Sequence, residues 1–179
     1  MLTSNFRTLM SLVLQSNSNG VVKGMLPIRN VVGDTYYAAN QIYNSMPSAT
    51  NTDFTLNATN TGISVGSGTT AAAESDYQLE APIVNGLACS LIKSCGLDSD
   101  GYPYLQIDMM MLNTSSEPIT IAEIGYKQNL RCSNTEFGTS ISDRTCLLDR
   151  TVLATPVTIA AGDYKIIRYT IKTVIPSGE

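Results

Sequence analysis

The chain contains no histidine. That removes the commonest general base at neutral pH and the commonest nitrogen ligand for a metal ion. It also contains no tryptophan, and only 15% of its 179 residues are charged. Ser, Thr and Asn fill the gap. Helical proteins cover their outer faces with Glu, Lys and Arg, whereas the exposed faces of sheets take short polar and β-branched residues. The scarcity of charge therefore leans towards β structure. Eleven Lys and Arg against fifteen Asp and Glu give a net charge of −4. The basic residues are scattered, without the clustering that displaces counterions from nucleic acid. No run approaches the roughly 20 apolar residues that span a membrane as a helix. The start, MLTSNFRTLMSLVLQ, lacks the charged-then-apolar order of a secretory signal. A reducing cytoplasm and free thiols are the expectation.

What is present is mostly strand pattern. Leu105, Ile107, Met109 and Met111 alternate with Tyr104, Gln106 and Asp108. Ile119 to Tyr126 reads as a strand with weak alternation, as if buried on both faces, and Cys146 to Leu153 reads as another. Pro156–Ile159, a turn at Ala160–Asp163 and a strand from Tyr164 to Thr173 close the chain, with Ile167, Tyr169 and Ile171 on one face. Gly33-Asp34 divides two short strands, Ile28–Val32 and Thr35–Ala39. Residues 63–75 read as a Gly/Ala/Thr-rich loop. Short strands with turns at this spacing predict a mainly β fold, an antiparallel Ig-like or jelly-roll-type β-sandwich with a short N-terminal helix. The expected organisation is a helix within residues 1–20, a hairpin and loop region over 21–79 and a sandwich core over 80–179, with 21–179 able to form one domain.

The helix is predicted over residues 4–16, with Ser4 as its N-cap. Phe6, Leu9, Met10, Val13 and Leu14 make one apolar face. A helix this short is marginal alone, so these five residues are the expected assembly interface, docking on the chain's own domain or on a neighbouring subunit.

The motifs that suggest chemistry have plainer readings. Gly66-Ser67-Gly68-Thr69-Thr70-Ala71 fits a loose dinucleotide pattern, but such a site needs a βαβ setting, and a surface loop is expected. Asp98-Ser99-Asp100-Gly101 resembles the start of a calcium loop. Position 5 is Tyr102 and position 12 is Met109, so a hairpin turn is expected. Cys89, Cys95, Cys132 and Cys146 contain no C-x-x-C pair and have no histidine beside them, which speaks against zinc. Cys132 and Cys146 could bridge a hairpin under oxidation. Glu74, Asp76 and Glu80 lie close in sequence, but nothing marks them as buried. The sequons at Asn57 and Asn113 indicate polar loops only. No catalytic residues, no cofactor and no metal are expected, and the chain reads as a non-enzyme.

Five segments carry a resemblance that runs from about residue 24 to 173, which is most of the chain. They are Gly24–Ile28, Val65–Thr70 leading to Asp76–Glu80, Ile119–Tyr126, Leu147–Leu153 and Ala161–Asp163. Together they resemble small virion proteins of tailed bacteriophages and prophages, particularly those of Firmicutes and other gut bacteria. The resemblance implies a structural component of a phage particle, at the capsid surface, neck or tail. It would be assembled in the host cytoplasm as a homo-oligomer among other virion proteins, with no nucleic-acid or membrane partner. The alternative is a tail-tip or fibre module that recognises host surface glycans, with Tyr36, Tyr37, Tyr43, Tyr102 and Tyr104 as its aromatic candidates.

Overall fold

The computed structural model describes residues 1–8, 26–38, 62–134 and 141–172. It is mainly β, with antiparallel sheets and one short N-terminal helix, the class expected from the sequence. Eight strands run in chain order: β1 Leu26–Arg29, β2 Thr35–Ala38, β3 Gly62–Gly66, β4 Leu87–Leu97, β5 Pro103–Asn113, β6 Ile119–Ser133, β7 Ile141–Ile159 and β8 Tyr164–Lys172. Two compact units divide them. The first comprises Met1–Val84 with Thr120–Val157, and the second Asn85–Ile119 with Thr158–Glu179.

In the first unit β6 is the hub. It pairs with β3 from Gly62↔Lys127 to Gly66↔Glu123, with β2 at Tyr37↔Ser133 and Ala38↔Cys132, and with β7. Residues 62–66 and 121–125 are all buried. A strand covered on both faces loses its alternation, which is why Ile119–Tyr126 reads as weakly periodic. The same cause hid β3 inside the predicted loop at 63–75; the loop begins only at Ser67. One core cluster gathers Ile28, Leu130, Cys132, Cys146 and Leu148, with Phe6, Tyr36 and Tyr126 packed against it.

The N-terminal segment is bound into this unit. Leu2 bridges Asp149 of β7, and Thr3 donates from its hydroxyl to the carbonyls of Leu147 and Leu148. The helix starts at Ser4, and the Thr3 carbonyl accepts from Arg7 N–H. Thr3, not Ser4, therefore occupies the cap position, but its hydroxyl serves β7. Asn5 is buried. It joins two strands by donating to Arg29 O at 2.6 Å and Leu147 O at 3.1 Å while accepting from Arg29 N–H at 2.8 Å. Phe6 of the predicted assembly face packs on its own chain's core. Leu9, Met10, Val13 and Leu14 lie outside the described residues, as does most of the 4–16 helix.

In the second unit β4, β5 and β8 form a three-stranded antiparallel sheet with β5 in the centre. Ile107, Met109 and Met111 are fully buried on one face of β5, as their alternation predicts. Asp98–Gly101 forms the β4–β5 turn, with Gly101 N–H on Asp98 O and Gly101 at φ +81°. The two predicted strands Cys146–Leu153 and Pro156–Ile159 are one strand, β7, in which Pro156 is exposed. Proline is tolerated where its missing N–H faces no partner. The turn at Ala160–Asp163 forms as expected, yet β8 pairs with β5. Asn113 secures that turn: it is fully buried and donates to Ile159 O and Glu117 O.

Candidate functional site

The strongest concentration of polar chemistry lies in the first unit, around two charged residues that interrupt apolar strands. Glu123 sits in the middle of β6 and Arg150 in β7. Their side chains are 0% and 3% exposed, and Arg150 Nε donates to Glu123 Oε2 at 2.7 Å. Isolating an ion from water costs several kcal/mol unless its remaining hydrogen-bonding capacity is met. Here it is met. Glu123 Oε1 accepts from Gly68 N–H at 3.2 Å and Ala81 N–H at 2.8 Å, and Oε2 also accepts from Glu80 N–H at 3.1 Å. Arg150 donates further to Asp76 at 2.9 Å, Thr70 O at 3.1 Å and Glu80 at 3.4 Å. Burial pushes the guanidinium down, but the Asp76 and Glu123 carboxylates outweigh it and hold it above its ordinary value.

The network clasps the loop from Ser67 to Ala81. That loop leaves the end of β3 and returns beside it, with Ser67 N–H on Ala81 O and Ile83 N–H on Val65 O. The glycines of the Gly66-Ser67-Gly68 motif now have a reason. A Cβ on Gly66 would collide with the Glu123 carboxylate and stand 2.7 Å from Ala81 O, and one on Gly68 would stand 2.7 Å from Glu123 Oε1. The backbone cradles an anion, as glycine-rich loops do, and the anion is the chain's own Glu123.

Beside the network lies a cleft of about 410 Å³, lined by Arg29, Thr70, Asp76, Tyr77, Glu80 and Arg150 among others. Its charged groups are already engaged. Arg29 lies over the Tyr77 ring at 3.9 Å and donates to Gly33 O. Glu80 accepts from the Thr70 hydroxyl at 2.7 Å and from Thr70 N–H at 2.8 Å, and these bonds hold its carboxyl below the ordinary range. A general acid needs the opposite shift. Of the three carboxylates singled out in the sequence, Asp76 and Glu80 meet at Arg150, while Glu74 pairs at the surface with Arg7.

The other candidates fall elsewhere. Asp98 Oδ1 accepts from Asp100 and Tyr102 N–H, and Oδ2 pairs with Lys172. Among the described residues no group of three His, Cys, Asp or Glu is placed to hold a metal ion. Cys132 and Cys146 are free thiols, both buried, and their side chains adjoin. The neighbouring Cys132 and burial together push Cys146 up. Tyr36, Tyr37, Tyr102 and Tyr104 are half-buried. Arg144 covers Tyr36 at 4.4 Å and Lys172 lies 5.3 Å from the Tyr102 centroid. Tyr43 and Asn57 lie outside the described residues, and Asn113 of the second sequon is itself buried.

Sequence reasoning passed over Glu123 and Arg150 themselves. The available signal was charge inside each of two apolar runs, Glu123 within Ile119–Tyr126 and Asp149-Arg150 within Cys146–Leu153. Charges of opposite sign in buried strands call for one another. Comparison of the chain with protein-family models, with curated proteins and with solved structures finds no match to any of them.

Proposed function

We propose that this chain is a structural component of a tailed-phage virion, at the capsid surface, neck or tail, and that it acts through symmetric protein–protein assembly. The observation that carries the reading is where its resembling segments meet. Val65–Thr70, Asp76–Glu80, Ile119–Tyr126 and Leu147–Leu153 all contribute to the Arg150–Glu123 network or to the strands that hold it. The segments that make the chain look like a virion protein thus go into fastening a loop to a sheet. The network's charged groups are hydrogen-bonded to one another and to backbone N–H and C=O groups of the chain, which suits a rigid building unit.

The glycan-reading alternative draws little from the tyrosines, since the four described candidates are half-buried and two of them face cations. Particles purified on a density gradient from cells that carry the gene test the proposal. The chain is expected to band with the particles at a fixed copy number and to resist a high-salt wash. Its absence from intact particles while it is abundant in the same lysate would refute the virion role. Binding of the isolated chain to host cells or wall polysaccharide would favour the glycan reader.

A further inference from the structure

β4 pairs residue for residue with β5, from Leu87↔Asn113 to Leu97↔Pro103. Among the described residues no strand pairs with its other side. Sheet edges are ordinarily blunted by charge, proline or a bulge. β4 has one charged residue in eleven, no proline and an unbroken register. Ile92 is 72% and Leu97 69% exposed, and Ala88, Ser90, Ser94, Cys95 and Gly96 are also exposed.

The strand is close to symmetric about Ile92. Reading outwards from that residue, both directions give Ser, Cys, a small residue and Leu after the first position, and only Leu91 and Lys93 differ. Two copies paired antiparallel through a two-fold axis at Ile92 would oppose Ile92 to itself, Ser90 to Ser94, Cys89 to Cys95, Ala88 to Gly96 and Leu87 to Leu97. Moving the axis to Lys93 would oppose Ser90 to Gly96 and Cys89 to Leu97, and moving it to Leu91 would oppose Ala88 to Ser94 and Leu87 to Cys95, so the match is lost in either direction.

We propose that β4 is a self-recognition edge, at which a second copy of this chain adds its own β4 antiparallel about Ile92. Such an isologous contact closes on itself as a dimer. It would join two three-stranded sheets into one. The pairing rests on β4 alone and does not depend on the virion reading.

The two opposed cysteine pairs provide the test. Directly opposite residues in an antiparallel pair have Cα atoms about 4.5–5.5 Å apart, within the roughly 4.4–6.8 Å that a disulfide spans. The purified chain is treated with glutathione disulfide. The exposed Cys95 thiolate displaces one glutathione thiol to form a mixed disulfide. Cys89 of the other copy then displaces the second, so two protein thiols are oxidised and one disulfide is reduced. A non-reducing gel should show a species at twice the 19.2 kDa chain mass. Cys89→Ser and Cys95→Ser should each lose it, because the remaining cysteine then faces a serine, and mixing the two variants should restore it. Absence of the cross-linked dimer, its persistence in either single variant, or its failure to return in the mixture would overturn the proposal. Ile92→Lys changes an exposed residue and places two lysines on the axis. It should weaken the dimer at least tenfold by light scattering with the far-ultraviolet circular dichroism unchanged, and an unaltered dimer would equally overturn the proposal.

Discussion

Arg150→Met is the sharpest perturbation of the first unit. It removes a donor bonded to a fully buried carboxylate at 2.7 Å and to Asp76 at 2.9 Å. Breaking a buried ion pair from one side costs roughly 3–5 kcal/mol. Glu123 would keep its three backbone N–H donors, which places the loss near the lower end, about 3 kcal/mol. Glu123→Gln is close to isosteric and should cost about as much, for a geometric reason. Each carboxylate oxygen accepts from two donors: Oε1 from Gly68 and Ala81, Oε2 from Glu80 and Arg150. The amide nitrogen must replace one of these oxygens, and in either orientation it meets two N–H groups and can accept from neither. Urea titration followed by far-ultraviolet circular dichroism measures both variants. With an m-value of about 2 kcal/mol/M, a loss of 3 kcal/mol moves the midpoint down by about 1.5 M. If the residues act as one network, the double variant should cost well under the sum of the two. A single-variant loss below about 1 kcal/mol, or strict additivity, would refute the network as an energetic unit.

Other positions give independent tests. Gly66→Ala should destabilise by about 3 kcal/mol through overpacking against Glu123 and Ala81. Gly101→Ala, with open space around it but φ at +81°, should cost about 1 kcal/mol by the same titration; equal losses would contradict the close-approach argument. Lys127 is buried, and burial holds its ammonium down to about 8 from 10.5. Below pH 8 both the folded and unfolded chains carry the proton and the full cost is present. Between pH 8 and 10.5 the unfolded chain binds more protons, so this group's contribution to stability rises with pH. The stability of the wild type relative to Lys127→Met should therefore improve by about 3 kcal/mol across that window, and a flat difference would refute it. Native-state alkylation with iodoacetamide should modify Cys95 first and Cys89 more slowly, leaving the buried Cys132 and Cys146 until the chain unfolds; equal rates at all four would contradict their burial.

How much the sequence discloses depends on how many faces of a strand meet water. β5 and β8 each have one exposed face, and their alternation reveals both the strands and the buried set Ile107, Met109 and Met111. β3 and the middle of β6 have none. There period two vanishes, so β3 merges into a Gly-rich loop and β6 reads as weakly patterned. The turns at Gly33, Gly101 and Gly162 were legible because each glycine takes a positive φ that other residues adopt at a cost. The sequence reads as two strands, Cys146–Leu153 and Pro156–Ile159, where the structure has the one strand β7, because an exposed proline on a strand disturbs nothing that needs its N–H.

The candidate site was hidden for a different reason. Its four charges, Asp76, Glu80, Glu123 and Arg150, are dispersed over 75 residues of chain, and no local window contains both signs. Only strand pairing brings them together. The glycine motif was visible, but its usual partner is a phosphate, and the sequence does not say that here the anion is a side chain 55 residues away. A charge that falls inside an apolar strand is therefore informative in its own right. Burial obliges it to find an opposite charge and a set of N–H donors. In this chain the glycine-rich loop, the one arginine in the buried part of β7 and the one glutamate in β6 meet that requirement together. The same requirement explains why β4 stands out from the opposite direction. Its edge has almost no charge to keep another strand away, and its sequence repeats in mirror order about Ile92, so a second copy of β4 is the partner proposed for the side with which, among the described residues, no strand pairs.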